Sequence, residues 1–138
     1  MIEAPTPKTW KQQVLPFAVS GVLGFLTDAA VVWIMTSYGG WGDIPAQLLA
    51  FMVAVTVTWL VNRSWTFAEH ASERWVKEWL RYTTANSVGA AVNNAVYIVL
   101  VLTLSLFSKH PIFAVAAGSV VGMGVNFMAS RRLVFRRS

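Results

Sequence analysis

V-L-P-F-A-V-S-G-V-L-G-F-L-T-D-A-A-V-V-W-I-M-T-S-Y, residues Val14–Tyr38, holds a single charged side chain, Asp28. Wound as an α-helix at 1.5 Å per residue it is longer than the roughly 30 Å of hydrocarbon in a bilayer. Three further runs, Pro45–Val61, Tyr82–Phe107 and Pro111–Ala129, contain no Asp, Glu, Lys or Arg. Each is about long enough to cross, so the chain is read as an all-α integral membrane protein with four transmembrane helices.

The whole composition agrees with that reading. Of 138 residues, 56% are hydrophobic and 12% charged, about half the charged share of an ordinary soluble domain. With no cysteine, disulfides, Fe–S clusters and thiolate zinc sites are excluded. The two histidines, His70 and His110, have no metal-ligand spacing and no catalytic neighbours, so neither metal, cofactor nor enzyme chemistry is expected.

Lys and Arg outnumber Asp and Glu by 11 to 6, but they fall in short blocks between the apolar runs and form no stripe for nucleic acid. Two precede the first span, four lie between spans two and three, four follow the last span, and only Lys109 lies in an alternate loop. The positive-inside bias then predicts a multi-pass protein of the inner (cytoplasmic) membrane with both termini and the central loop cytoplasmic. The expected segments are a leader over 1–13, spans over 14–38, 45–61, 82–107 and 111–129, and a basic tail over 130–138. The first run is too long for a signal-peptide core and stays in the mature chain. Pro5, Pro7 and Pro16 are expected to stop the leader from continuing as helix, whereas Pro45 and Pro111 sit where helices begin. Within the central loop, Ser72–Arg81 places Trp75, Val76, Trp79 and Leu80 on one face, with Glu73/Lys77 and Arg74/Glu78 at four-residue spacing. A short interfacial helix over 72–81 is predicted, against the alternative of a linker ending in belt aromatics.

The chain also repeats itself. Phe17–Thr36 laid over Tyr82–Val101 pairs Phe17 with Tyr82, Ser20 with Ala85, Gly24 with Gly89 and Asp28 with Asn93. T-W-L-V-N-R-S-W-T-F (Thr58–Phe67) laid over N-F-M-A-S-R-R-L-V-F (Asn126–Phe135) pairs Trp59 with Phe127, Arg63 with Arg131 and Phe67 with Phe135. Both halves start on the same side, so they form two parallel-repeat helical hairpins about an axis along the membrane normal.

N-R-x-W-x-F after the second span and N-F-x-x-x-R-x-x-V-F after the fourth resemble the GtrA-like family, over nearly the whole chain from F-A-V-S-G-V-L-G-F-L-T-D to Phe135. The resemblance implies a role with polyprenyl-phosphate-linked sugars in cell-surface polysaccharide synthesis, either flipping the sugar lipid or assisting its glycosyltransferase. By position the family pattern falls on Gly21, Gly24, Asp28, Asn62, Arg63, Trp65, Phe67, Asn126, Phe127, Arg131, Val134 and Phe135. Ser130, where the family often has Asn, and Thr58, opposite Asn126, depart from it.

Candidate site residues follow from the polar groups placed in lipid. Asp28 sits mid-span, where a carboxylate costs about 2.5–3.5 kcal/mol, and shares a face with Ser20 and Gly24. With Asn93 and Asn94, and helped by Asn126, it either lines a polar seam for sugar hydroxyls or a proton, or serves as hydrogen-bonded structural glue. Arg63, Arg131 and Arg132, with Asn62 and Asn126, either hold a headgroup phosphate in planar forks or snorkel and fix topology. Trp65, Phe67, Phe127 and Phe135 are expected to pack at the headgroup or interface. Ala114, Gly118 and Gly122 form a packing face against the second or first span. The expected function is a flippase of polyprenyl-phosphate sugar acting as a homodimer. The alternatives are a membrane adaptor for a glycosyltransferase, working through Trp75 and Trp79, and a small cation exporter.

Overall fold

A computed structural model describes residue 6 and residues 8–135. The expectations for Pro5, Pro7 and most of the leader, and for Arg136 and Arg137, lie outside these residues. The described residues contain no strand. Helices α1 (Trp10–Ser37), α2 (Asp43–Val61), α3 (Trp75–Thr103) and α5 (Pro111–Ala129) are the long apolar ones; α4 (Ser105–Lys109) is a short turn of helix. All four long helices are apolar and long enough to span a bilayer, and large side chains such as Phe25, 70% exposed, point outward along them. Continuous exposed apolar surface of this extent needs lipid around it.

Local chemistry sets the helix ends. α1 starts at Trp10, where Thr9 and Gln12 form a capping box, and it runs straight through Pro16. Pro16 therefore does not stop the leader. Its missing N–H removes one intrahelical bond, and the cap at the helix start offsets that loss. Gly40, at φ +67°, allows the tight connection to α2, and Pro45 lies in the first turn of α2, where N–H groups are unbonded anyway. Pro111 occupies the first position of α5. α3 ends at Thr103, earlier than expected, because Leu104 is extended before α4 begins.

The interfacial helix over 72–81 is corrected: α3 is continuous from Trp75 to Thr103, so Trp75–Arg81 are its opening turns. No Pro or Gly between Trp75 and Tyr82 breaks it.

The chain divides between Trp79 and Leu80 into two compact units. In the first, Ser20 lies beside Thr58 and Asp28 beside Gln47, so α1 and α2 run antiparallel. In the second, Gly89 faces Asn126 while Asn93 faces Gly118 and Gly122, so α3 and α5 run antiparallel as well. Gly118 and Gly122, expected to pack on the second or first span, thus pack on α3 within their own unit.

The repeat reappears as matched internal geometry. α2 passes into a π turn at Asn62–Thr66, and α5 into another at Ser130–Val134. Each closes with an identical bond, Phe67 N–H to Asn62 O and Phe135 N–H to Ser130 O, both 2.8 Å. These turns bring Phe67 onto Phe17 at 6.2 Å and 63°, and Phe135 onto Tyr82 at 6.1 Å and 59°. Ala46 and Ala114, also related by the repeat, are both fully buried.

Candidate functional site

The π turn after α2 builds the basic end of the first unit. Arg63 there donates from Nε to Glu78 Oε1 (2.8 Å) and from one terminal nitrogen to Ser72 O (2.7 Å), with its guanidinium 5.3 Å from the Trp59 ring. Glu78 is buried and also accepts from Trp59 Nε1 (3.0 Å) and from the Ser72 backbone N–H. Trp79 Nε1 donates to Thr56 Oγ1 (3.1 Å). Arg63 is therefore engaged in tying the start of α3 to the end of α2, and little of its fork faces outward. Glu78, expected opposite Arg74 on a solvated helix face, is instead the hub of this clamp.

Asn62 is buried and accepts from Thr66 Oγ1 (2.8 Å). Phe67 and Phe135, expected at the headgroup interface, are instead core residues with almost no exposure. The reason is the π turn, which folds each ring back over the neighbouring helix. Phe127 is half-buried, and Trp65 is exposed with its carbonyl accepting from Lys8 Nζ (2.6 Å).

Asp28 lies farther from the basic end than its place in the run suggested. Its two carboxylate oxygens accept from Gln47 Nε2 at 3.0 and 3.3 Å, and Gln47 is only about one turn inside the start of α2. The pair stands on the far side of the first unit from Arg63. Sequence reasoning missed Gln47, although its signal was present: it is the sole amide side chain in the second span. On α3, Asn93 turns toward α5, against Gly118 and Gly122. Asn94, one residue on, is exposed and donates back to Ala90 O (3.0 Å). These neighbouring amides face different ways, as successive helix positions must.

The basic end of the second unit has another character. Arg131 and Arg132 sit in the π turn after α5. Arg132 is exposed, and the aliphatic stem of its side chain lines an open, almost wholly apolar groove of about 600 Å³ along α5. Val121, Gly124, Val125, Met128 and Leu133 line the rest. Val121, Gly124, Val125, Met128 and Arg132 recur at three- and four-residue steps, so a single helix face carries an apolar trough with an exposed arginine in the same register. Such a surface suits a long hydrocarbon with an anionic head. Asn126, one turn inward of Ser130 on α5, is half-buried, and its amide is pressed on Gly89.

Comparison with protein-family models gives a match to the GtrA/DPMS transmembrane domain over residues 16–136, which takes in both π turns, the Arg63 clamp and the α5 groove.

Proposed function

Since the chain belongs to the GtrA/DPMS transmembrane-domain family, and so is a multi-pass membrane protein connected with polyprenyl-phosphate sugars, we propose that it is a flippase of a polyprenyl-phosphate-linked sugar for cell-surface polysaccharide synthesis. The observation that supports this best is the apolar α5 trough lined in part by the stem of exposed Arg132. An isoprenoid tail fits its apolar length, and a guanidinium matches phosphate oxygens. Arg131, beside it in the π turn, belongs to the same headgroup station, whereas Arg63 holds the protein together. Within the first unit, on its far side from Arg63, Asp28 and Gln47 offer a carboxylate and an amide to sugar hydroxyls.

The protein resides in the inner membrane with both termini cytoplasmic, as its Lys and Arg distribution favours. It works without metal or cofactor and makes or breaks no covalent bond. The protein acts as a homodimer packed through glycine-rich helix faces.

One observation favours a second reading, an adaptor for a glycosyltransferase. Trp75, 60% exposed, stands with exposed Val76 at the start of α3 and can dock a partner enzyme. Purified protein in liposomes carrying a polyprenyl-phosphate sugar separates the two. The flippase is expected to move the lipid between leaflets, with Arg131→Ala, Arg132→Ala and Asp28→Asn each slowing transfer at least tenfold. Transfer no faster than in empty liposomes, together with loss of product synthesis in cells bearing Trp75→Ala, would establish the adaptor instead.

A further inference from the structure

Repeat-related positions in the two units differ in one respect. In the first unit Ser20, Thr58, Asn62 and Thr66 are hydrogen-bonded. Ser20 Oγ donates to Thr58 O (3.3 Å), Thr58 Oγ1 to Val55 O (3.1 Å) and Thr66 Oγ1 to Asn62 Oδ1 (2.8 Å). In the second unit, Asn126 takes the place of Thr58 and Ser130 the place of Asn62. Ser130 is 0% exposed, and its Oγ has no hydrogen-bond partner. The buried Oδ1 of Asn126 and Oγ1 of Thr83 have none either.

A buried polar atom left unpaired costs about 1–3 kcal/mol, and folded proteins keep few of them. Three in one unit, at positions whose counterparts are paired or apolar, need a reason. Ser130 and Asn126 lie four residues apart on one face of α5, about 6 Å along the axis. One and two turns farther are Gly122 and Gly118, against which Asn93 rests. Thr83 follows Tyr82, the residue packed on Phe135 at the π turn. The polar groups of Ser130, Asn126 and Asn93 thus start beside Arg131 and Arg132 and continue inward along the contact of α5 with α3.

We propose that the second unit is where the sugar of the lipid headgroup is first taken up, between α3 and α5 on Ser130, Asn126 and Asn93, while the first unit stays latched at its basic end. This rests on the polyprenyl-phosphate reading above. The orphaned atoms decide the ligand chemistry. An amide presents both a carbonyl acceptor and N–H donors, and hydroxyls both give and accept. Sugar hydroxyls match all of these, whereas phosphate offers acceptors only and leaves the Asn126 carbonyl unmet. In the closed arrangement the unpaired atoms raise the free energy, which favours parting α3 from α5 around a hydroxylated group. Gly89, Gly118 and Gly122 at the contact leave few interlocked side chains to oppose it.

Full-length protein in nanodiscs provides the test, read as thermal unfolding and apparent affinity. The probes are a bare polyprenyl phosphate and the same lipid carrying glucose, galactose, mannose or N-acetylglucosamine. Wild type is expected to bind at least one sugar-bearing lipid about tenfold tighter than the bare lipid. Asn126→Leu and Ser130→Ala should erase that increment, keep binding of bare lipid, and unfold without ligand no earlier than wild type. The contrasting variant Thr66→Val, in the first unit, should lower the unfolding temperature and keep the increment. If wild type binds bare and sugar-bearing lipid equally, or if Asn126→Leu and Ser130→Ala retain the increment, the inference is overturned while the lipid reading stands. If wild type binds neither lipid, the polyprenyl-phosphate reading itself fails.

Discussion

Glu78 shows at residue scale how a charge acquires its role from what surrounds it. Its neighbours in sequence offer Arg74 as a helix-surface partner, yet it is buried against Trp59, Arg63 and the Ser72 N–H. Removing one member of a buried pair typically costs about 3–5 kcal/mol, because the other charge stays unpaired. Arg63 keeps 27% side-chain exposure, which solvent can use, so Glu78→Ala is expected near the lower end of that range. Arg63→Ala and Glu78→Ala should be strongly non-additive in a double-mutant cycle of unfolding free energies. Additive losses would show that the clamp is not a pair. No local pattern marked this contact, since Arg63 and Glu78 come together only when the chain folds back after the first π turn.

Packing between elements depends on glycines that the sequence identified as a packing face but assigned to the second or first span, whereas Gly118 and Gly122 meet α3. An added Cβ at Gly118 would lie 2.6 Å from the Asn93 backbone oxygen, and backbone cannot step aside as a side-chain tip can. Gly118→Ala is therefore expected to destabilise by about 1–3 kcal/mol. Gly21→Ala, on an open stretch of α1, should be neutral or stabilise by up to about 1 kcal/mol through helix propensity. Thermal unfolding of the two variants in detergent checks the contrast; equal losses would mean that α3 and α5 do not meet as described. The π turns belong to this scale too. The aligned Arg and Phe positions announced a repeat, but an i→i+5 closure has no residue signature, so Phe67 and Phe135 were expected at the interface and are found in the core.

For the whole molecule, the number of spans and their charge bias set a topology that can be read directly. Because the chain has no cysteine, single cysteines report position without background. Glu73→Cys is expected to react with a membrane-impermeant maleimide only from the cytoplasmic face, and Lys109→Cys only from the outside. The opposite pattern would invert the proposed direction of the lipid path, since the Arg132 station would then face outward.

Four helices long and apolar enough to span a bilayer, the repeat and the family followed from the sequence alone. The physical reason is that a bilayer punishes each misplaced charge and unpaired backbone group, so crossing segments must be written as continuous apolar runs. Which polar residue meets which was decided by tertiary structure. Asp28 found Gln47, Arg63 found Glu78 and Asn126 found Gly89, each through contacts between helices whose relative register no periodicity encodes. For the same reason two arginines in equal sequence register received different surroundings. The first is held by a carboxylate from the start of α3, while the second sits in a π turn whose buried Ser130 hydroxyl has no partner.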